Sequence, residues 1–182
     1  MNNPTDPAVH YQEVQHFHPF FHALLGAVMA LLLWGQVSAL VFHKPFGAKP
    51  APPAVLLAMW LFFVALYLVV FRLVVRVDDQ GVTAEYGYLG WVKFRWRREQ
   101  LRRCEATTYR PLRDFGGWGI RFGAGGTRCY SARGNRGVLL ETDKRRVILG
   151  SQRPEELAAA IRALIDGTPV TGRSEARPPG SR

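Results

Sequence analysis

Two long apolar stretches occupy much of the first half of the chain, and neither contains Asp, Glu, Lys or Arg. They run from Phe20 to Phe42 and from Ala54 to Phe71. At about 1.5 Å per residue, helices of these lengths reach roughly 34 and 27 Å, close to the ~30 Å hydrocarbon core of a bilayer. The pattern predicts two transmembrane helices, spans 20–42 and 54–72, which a proline-rich loop joins into a hairpin over 20–75.

After the second stretch the apolar residues recur with a period of two. Residues 91–97 alternate apolar and mostly basic positions, which is typical of a strand with one buried and one solvated face. Leu73–Val77 predicts a strand that follows the second span directly. Glycine-rich and polar turns separate the further predicted strands, which are 82–88, 101–109, 118–122, 128–131, 138–142 and 145–149. In all, the pattern predicts about seven short strands.

One amphipathic helix is predicted to close the domain, from Pro154 to Asp166. Pro154 suits a first helical turn, the acidic residues after it favour the helix dipole, and Gly167 ends the helix. Its single apolar stripe predicts packing against a sheet. The predicted organisation is therefore a hairpin followed by one domain over 76–167.

The two ends of the chain are predicted to lie outside this domain. Residues 1–19 end in interleaved aromatic and histidine side chains, which favour the headgroup level of a bilayer, so they predict an interfacial segment. Residues 168–182 are rich in Pro, Gly, Ser and Arg and predict a disordered tail.

The distribution of charge predicts how the hairpin is oriented across the membrane. The chain of 182 residues has a net charge of +10, and residues 1–71 hold two lysines against two acidic residues, so the whole surplus lies from Arg72 onward. Because basic segments stay on the cytoplasmic side, the domain is predicted to be cytoplasmic, and two spans return the N-terminus to the same side. The lysines of the outer loop, Lys44 and Lys49, argue weakly the other way.

A cleaved signal peptide is an alternative for the first stretch, because Val37, Ser38 and Ala39 resemble a cleavage site. However, residues 1–19 contain no Lys or Arg, and the apolar stretch exceeds the usual 7 to 15 residues. Membrane anchoring is therefore the preferred interpretation.

Metal and cofactor chemistry has little support in the sequence. The two cysteines, Cys104 and Cys129, have neither a second Cys nor a His at ligand spacing. His16, His18 and His22 could hold a metal, but Pro19 interrupts them and no Cys, Asp or Glu completes the set. No glycine-rich phosphate loop or nucleophile turn is present. We therefore expect no cofactor, no metal and no catalysis.

Several segments resemble those of known bacterial proteins. About seven antiparallel strands with one C-terminal helix, tethered to membrane spans, resemble the bacterial pleckstrin-homology-like (PH-like) domain. Residues 11–15, 111–121, 134–138 and 150–157 are similar to those of a family of uncharacterised bacterial two-span membrane proteins. The resemblance implies an α+β fold, with a PH-like antiparallel β-roll or barrel after the hairpin, in the bacterial plasma membrane. It implies no catalytic residues.

Two clusters are candidate contact sites. The first is a basic face interleaved with aromatics, which could touch anionic headgroups or simply be a solvated strand face that sets the topology. It comprises Lys93, Arg95, Arg97, Arg98, Arg102 and Arg103. Nucleic acid is not expected, because the aromatic side chains alternate inward.

The second cluster is the glycine-rich segment 111–121. It is either an Arg–Asp pair bracing a turn around a buried Trp, or a pocket for a partner. Its candidate residues are Arg113, Asp114, Trp118 and Arg121.

The leading hypothesis is a non-enzymatic membrane protein whose PH-like domain binds a protein partner or self-associates. The alternatives are anionic-lipid sensing through the basic face and an accessory role in a membrane enzyme or transporter.

Overall fold

A computed structural model describes residues 8–43 and 51–167 of the chain. The outer-loop lysines and the predicted disordered tail lie outside these residues. Two apolar helices come near the start, α1 (Pro19–Leu40) and α2 (Pro53–Val70). Both are long and apolar enough to cross a membrane, and very little of either is buried within the protein. These helices could span a membrane, and their bounds agree with the predicted spans to within two residues.

The strands form two sheets. The first sheet is antiparallel throughout, with order β1-β2-β3-β4. Its strands are β1 (Val9–His16), β2 (Arg72–Asp78), β3 (Gly81–Tyr86) and β4 (Val92–Arg97). The hairpin of α1 and α2 is thus inserted between two adjacent strands of one sheet.

The second sheet has the order β5-β8-β9-β7-β6, and its β7–β9 pair is parallel. Its strands are β5 (Leu101–Thr108), β6 (Gly119–Phe122), β7 (Arg128–Ser131), β8 (Arg136–Thr142) and β9 (Arg146–Gly150). A short helix, α3 (Pro111–Phe115), precedes β6, and α4 (Pro154–Asp166) ends the described chain. The described residues therefore form nine strands in a mixed arrangement, where about seven antiparallel strands were predicted. The α+β class and the closing helix are confirmed.

The core lies between the two sheets and α4. Both tyrosines at its centre are almost fully buried, with Tyr86 at 1% and Tyr130 at 2% exposure. Phe94 and Trp96 of β4 pack their rings on Tyr130, with centroids 4.6 and 5.3 Å away. The apolar stripe of α4 supplies Leu157, Ala158, Ala160, Ile161 and Leu164 to the same core.

The first strand, β1, was not predicted, and the interfacial segment assigned to 1–19 contains it. Its inward positions include two polar residues, Glu13 and Gln15, so the strand has no apolar alternation to reveal it. Burial of a polar group requires hydrogen-bond partners. Glu13 has three: its carboxylate accepts from the Tyr11 hydroxyl at 2.7 Å, the Ser151 hydroxyl at 2.5 Å and the Gln152 N–H at 2.7 Å. These bonds fasten β1 to the turn between β9 and α4.

The domain has a near end, which touches the helices, and a far end. Strand β2 begins two residues after α2 ends. The turn between β3 and β4 lies at the same end of the sheet and contacts that helix end. There the Tyr88 N–H donates to the Leu68 carbonyl and the Gly87 N–H to the Arg72 carbonyl, each at 2.7 Å. Since a strand rises about 3.3 Å per residue, Asp78 and Arg97 at the far end lie roughly 20 Å from this junction. The Tyr88 bond reaches α2 itself, whereas the Gly87 bond extends the pairing of β2 with β3. The domain is therefore held to this helix end by the chain connection through Phe71 and by the Tyr88–Leu68 hydrogen bond.

Candidate functional site

The predicted basic face is distributed over three consecutive elements. Strand β4 alternates as predicted, with half-buried apolar residues between exposed basic ones. All six basic residues are exposed. They are Lys93, Arg95 and Arg97 on β4, Arg98 in the single helical turn that follows, and Arg102 and Arg103 on β5. The set runs from the near end at Lys93 to the far end at Arg97 and Arg98, so it does not face the helices as a unit.

Carboxylates lie against four of these six cations. The pairs are Lys93 with Glu85 at 3.0 Å, Arg95 with Asp78 at 3.6 Å, Arg103 with Glu105 at 3.3 Å, and Arg102 with Asp143. The Asp78 carboxylate is buried, while the other three pairs are largely exposed and contribute little to stability. Each of the four pairs cancels a positive charge on the surface. Over the ranges 8–43 and 51–167, only Arg97 and Arg98 of the six have no carboxylate within 4 Å.

A second basic feature lies at the far end, between β4 and the second sheet. This far-end cleft has a volume of about 220 Å³ and is lined by Phe94, Arg95, Trp96, Gln100, Arg128, Tyr130, Thr142, Asp143, Lys144 and Arg145. Its apolar lining comes from the aromatic residues that pack on Tyr130. Its basic lining comes from three separate elements, which is why sequence spacing did not bring these residues together.

The cleft carries unbalanced positive charge. Lys144 and Arg145 are exposed in the turn between β8 and β9, while Arg128 is half-buried with its guanidinium 5.2 Å from the centre of the Phe122 ring. None of these three forms an ion pair with any described residue. The only carboxylate in the lining, Asp143, is already paired with Arg102 outside it. The cleft can therefore accept an anionic group.

The glycine-rich segment 111–121 differs from the predicted brace. No ion pair in the described chain joins Arg113 or Arg121 to Asp114; instead, the Asp114 carboxylate accepts the Arg110 N–H at 2.9 Å across α3. Trp118 is half-buried, and its indole N–H donates to the Gly134 carbonyl at 2.7 Å. Arg121 Nε donates to the Trp118 carbonyl at 3.0 Å. The predicted pair is wrong, and the Trp is fixed by backbone hydrogen bonds.

Trp118 and Arg121 do line a cavity, and it lies where the domain meets the hairpin. This junction groove has a volume of about 580 Å³. Its lining is Phe17, Phe21, Leu66, Val70 and Phe71 from the hairpin side, and Leu112, Gly116, Gly117, Trp118, Gly119, Ile120 and Arg121 from the domain side. Arg113 and Asp114, predicted for the same pocket, are not in the lining. The hairpin residues were missed because nothing in the sequence shows which turn of an apolar helix faces the domain.

The three histidines considered as metal ligands, His16, His18 and His22, have different surroundings. His16 is the last residue of β1, His18 accepts the Phe20 N–H at the start of α1, and His22 packs edge-on against Tyr67 and Phe71. Within the described ranges, no group of three His, Cys, Asp or Glu side chains is arranged to hold a metal ion.

Both cysteines are buried thiols. Burial is the main cause that raises the pKa of Cys104 and of Cys129 to about 11, so both are protonated at neutral pH. Burial likewise raises the pKa values of the core tyrosines Tyr86 and Tyr109. The thiols have an ordinary pKa of 9.0 and a raised one in the folded state, so their contribution to stability is complete below pH 9 and is lost as pH rises toward 11. The contribution of the tyrosines, whose ordinary pKa is 10.0, begins to be lost only above that pH.

We expect two measurable results from these thiols. At pH 7.5, a maleimide should modify the folded chain at least 100-fold more slowly than the urea-unfolded chain, because a buried thiol reacts only when the structure opens. The urea midpoint should fall between pH 9 and 11. Rapid modification of both thiols in the folded protein would contradict their burial.

The fold and these surfaces define an α+β protein with two membrane-compatible helices inserted into a two-sheet domain. No protein-family model, curated protein or solved structure matches the chain.

Proposed function

We propose that this chain is a two-span protein of a bacterial plasma membrane whose cytoplasmic, PH-like and non-catalytic domain binds an acidic segment of a protein partner. The antiparallel pairing of β1 with β2 supports a hairpin of two spans, since the strands before and after it must lie on the same side. The excess of basic residues from Arg72 onward favours the cytoplasmic side.

The far-end cleft is the observation that carries the proposal. Its three unpaired cations, Arg128, Lys144 and Arg145, lie at the end of the domain that is roughly 20 Å from the helices along the strands. A site there is open to a water-soluble partner. Because the chain carries a net charge of +10, electrostatics repel a second copy and attract an acidic protein. An acidic partner therefore fits the cleft better than self-association does.

The open edge of β4 lies beside the cleft and suits an extended peptide. Among the described strands, β4 pairs only with β3. The Arg97 N–H donates to the Gln100 side chain rather than to β3. Because the backbone N–H and C=O groups of an antiparallel strand point alternately to its two sides, those of Arg95 and Lys93 also face away from β3. A peptide strand could add to this edge while its acidic side chains reach the cleft.

Two other functions have less support. Lipid sensing through the predicted basic face has less support because carboxylates pair with four of its six cations. The six residues also extend from the near end to the far end of the domain, so they do not all lie beside the helices. Catalysis by the buried thiols is disfavoured because their pKa values are raised and their hydrogen-bond partners are the Ala158 carbonyl and the Ser131 hydroxyl.

The test uses the full chain in nanodiscs of zwitterionic lipid and a fluorescein-labelled decapeptide that alternates Glu with Val. We expect saturable binding by anisotropy that weakens as salt rises from 50 to 300 mM. The triple variant R128E/K144E/R145E should bind at least tenfold more weakly.

A matched control changes the same net charge elsewhere. Arg103, Arg136 and Arg162 are exposed on β5, β8 and α4, outside the cleft lining. R103E/R136E/R162E should change the peptide affinity less than threefold. Equal loss in the two triple variants would show that only net charge matters and would overturn the cleft as the site.

A further inference from the structure

The junction groove is a preformed, mostly apolar cavity that the partner site does not use. Phe21 at the start of α1 and Leu66 and Val70 in the last turns of α2 form one wall. Leu112, Trp118 and Ile120 of the domain form the other. Its volume of about 580 Å³ is within the usual range of small-ligand sites, ~300–1,000 Å³.

The position of the groove determines which molecules reach it. Its hairpin wall is continuous with the exposed apolar surface of both helices, which carries no Asp, Glu, Lys or Arg. If the helices span the bilayer as proposed above, Phe21 and Val70 lie at its surface, where hydrocarbon chains meet headgroups. An acyl chain can then enter the groove without crossing water.

One cation lies in the lining. Arg121 is exposed on β6, and its Nε is used by the Trp118 carbonyl, while its two terminal nitrogens donate no hydrogen bond to the described part of the chain. A guanidinium with both terminal nitrogens available matches the oxygens of a phosphate. The groove thus combines an apolar wall for a chain with a single anion-binding group.

Trp118 fixes this arrangement. Its indole N–H donates to Gly134 and its ring packs edge-on against Phe21, with centroids 6.4 Å apart. The glycines on either side, Gly117 and Gly119, have φ values of +131° and +102°, which side chains rarely adopt. The loop is therefore shaped to place Trp118 between the domain and the hairpin.

From this geometry we propose that the junction groove binds one anionic phospholipid, with an acyl chain against Phe21, Leu66 and Val70 and its phosphate on Arg121. This inference rests on the membrane placement proposed above but not on the partner cleft. It assigns the segment 116–121 a role in binding lipid, where the sequence left open a braced turn or a pocket for a partner.

The test measures lipid retention by native mass spectrometry of the full chain extracted from membranes. Phosphatidylglycerol and phosphatidylcholine with the same acyl chains are titrated in detergent. We expect one phosphatidylglycerol to bind at least tenfold more tightly than phosphatidylcholine. R121Q should abolish that preference, and L66W, which narrows the apolar wall, should weaken both lipids at least fivefold.

Arg113 provides the matched control, because it is an exposed arginine close in sequence that does not line the groove. R113Q should retain the preference for phosphatidylglycerol within twofold. Equal retention of the two lipids, or an equal loss of the phosphatidylglycerol preference in R113Q and R121Q, would show that the lipid binds only as a nonspecific annular lipid. Either result would overturn the proposal.

A carbonate wash of the membranes separates this result from the function proposed above. Release of the chain by carbonate would overturn both the membrane anchor and the groove. Retention of the chain, without a lipid preference that depends on Arg121, would overturn the groove alone. Peptide binding at the far-end cleft is measured independently in either case.

Discussion

Replacing Glu13 with alanine is expected to lower the free energy of unfolding by about 3–5 kcal/mol. The variant leaves three donors without their acceptor, the Tyr11 hydroxyl, the Ser151 hydroxyl and the Gln152 N–H. Tyr11 and Ser151 are buried, and each unsatisfied buried donor costs about 1–3 kcal/mol. The loss is a large part of a domain's usual stability, about 5–15 kcal/mol. Urea-dependent maleimide modification of the two buried thiols measures it in the full chain.

Glu105 provides a control of the same residue type. Its side chain is exposed and pairs only with Arg103 at the surface, so E105A should change the unfolding free energy by less than about 0.5 kcal/mol. E13Q should fall between the two, since an amide keeps one accepting oxygen. If E13A is as stable as E105A, then β1 is not fastened by this carboxylate.

Replacing Gly87 with alanine is expected to break the contact between the domain and α2. A Cβ at this position would lie 2.4 Å from the Leu68 carbonyl oxygen and 2.5 Å from that of Val69, and both atoms are backbone. Its φ of +79° adds about 1–2 kcal/mol of strain for alanine. The turn must therefore move, and the hydrogen bond from Tyr88 to Leu68 is lost. We expect amide hydrogen exchange at residue 88 to accelerate on the order of 100-fold, which corresponds to about 3 kcal/mol.

Gly90 in the same turn provides a control that separates the effect of backbone strain from the effect of a steric clash with the helix. Its φ is +66°, but the nearest atom to an added Cβ is the Glu85 carboxylate at 2.6 Å, the end of a flexible side chain. G90A should therefore cost only the strain of about 1–2 kcal/mol and leave exchange at residue 88 within tenfold of the wild type. Similar exchange rates in G87A and G90A would contradict a tight contact with the helix.

The sequence predicted the elements in which the pattern of apolar and polar residues follows the burial and exposure of the side chains. The helices α1 and α2 are uniformly apolar, β4 alternates in period two, and α4 has matching start and stop signals, so each was found within about two residues. Strand β1 was missed for the opposite reason. The carboxylate of its inward Glu13 and the side-chain N–H of its inward Gln15 find partners in Ser151, Gln152 and Gly150, about 135 residues later. No local pattern contains that information.

The candidate sites show the same limit. Trp118 and Arg121 were selected because the segment around them is unusual, and they do line a cavity. The residues that complete the junction groove and the far-end cleft come from elements that are distant in the chain. The parallel pairing of β7 with β9 places Arg128 beside the β8–β9 turn, and this pairing is not readable from strand patterns.

The insertion of the hairpin between β1 and β2 imposes an order on synthesis and assembly. Residues 9–16 leave the ribosome before both apolar helices, yet their pairing partner, Arg72–Asp78, is made only after the helices. The first strand therefore stays unpaired until both helices have been made. If the helices span a membrane as proposed above, completion of the sheet requires both helix ends to lie on one face of that membrane. A chain with one helix inserted the wrong way could then not pair β1 with β2, so the completed sheet would report correct insertion.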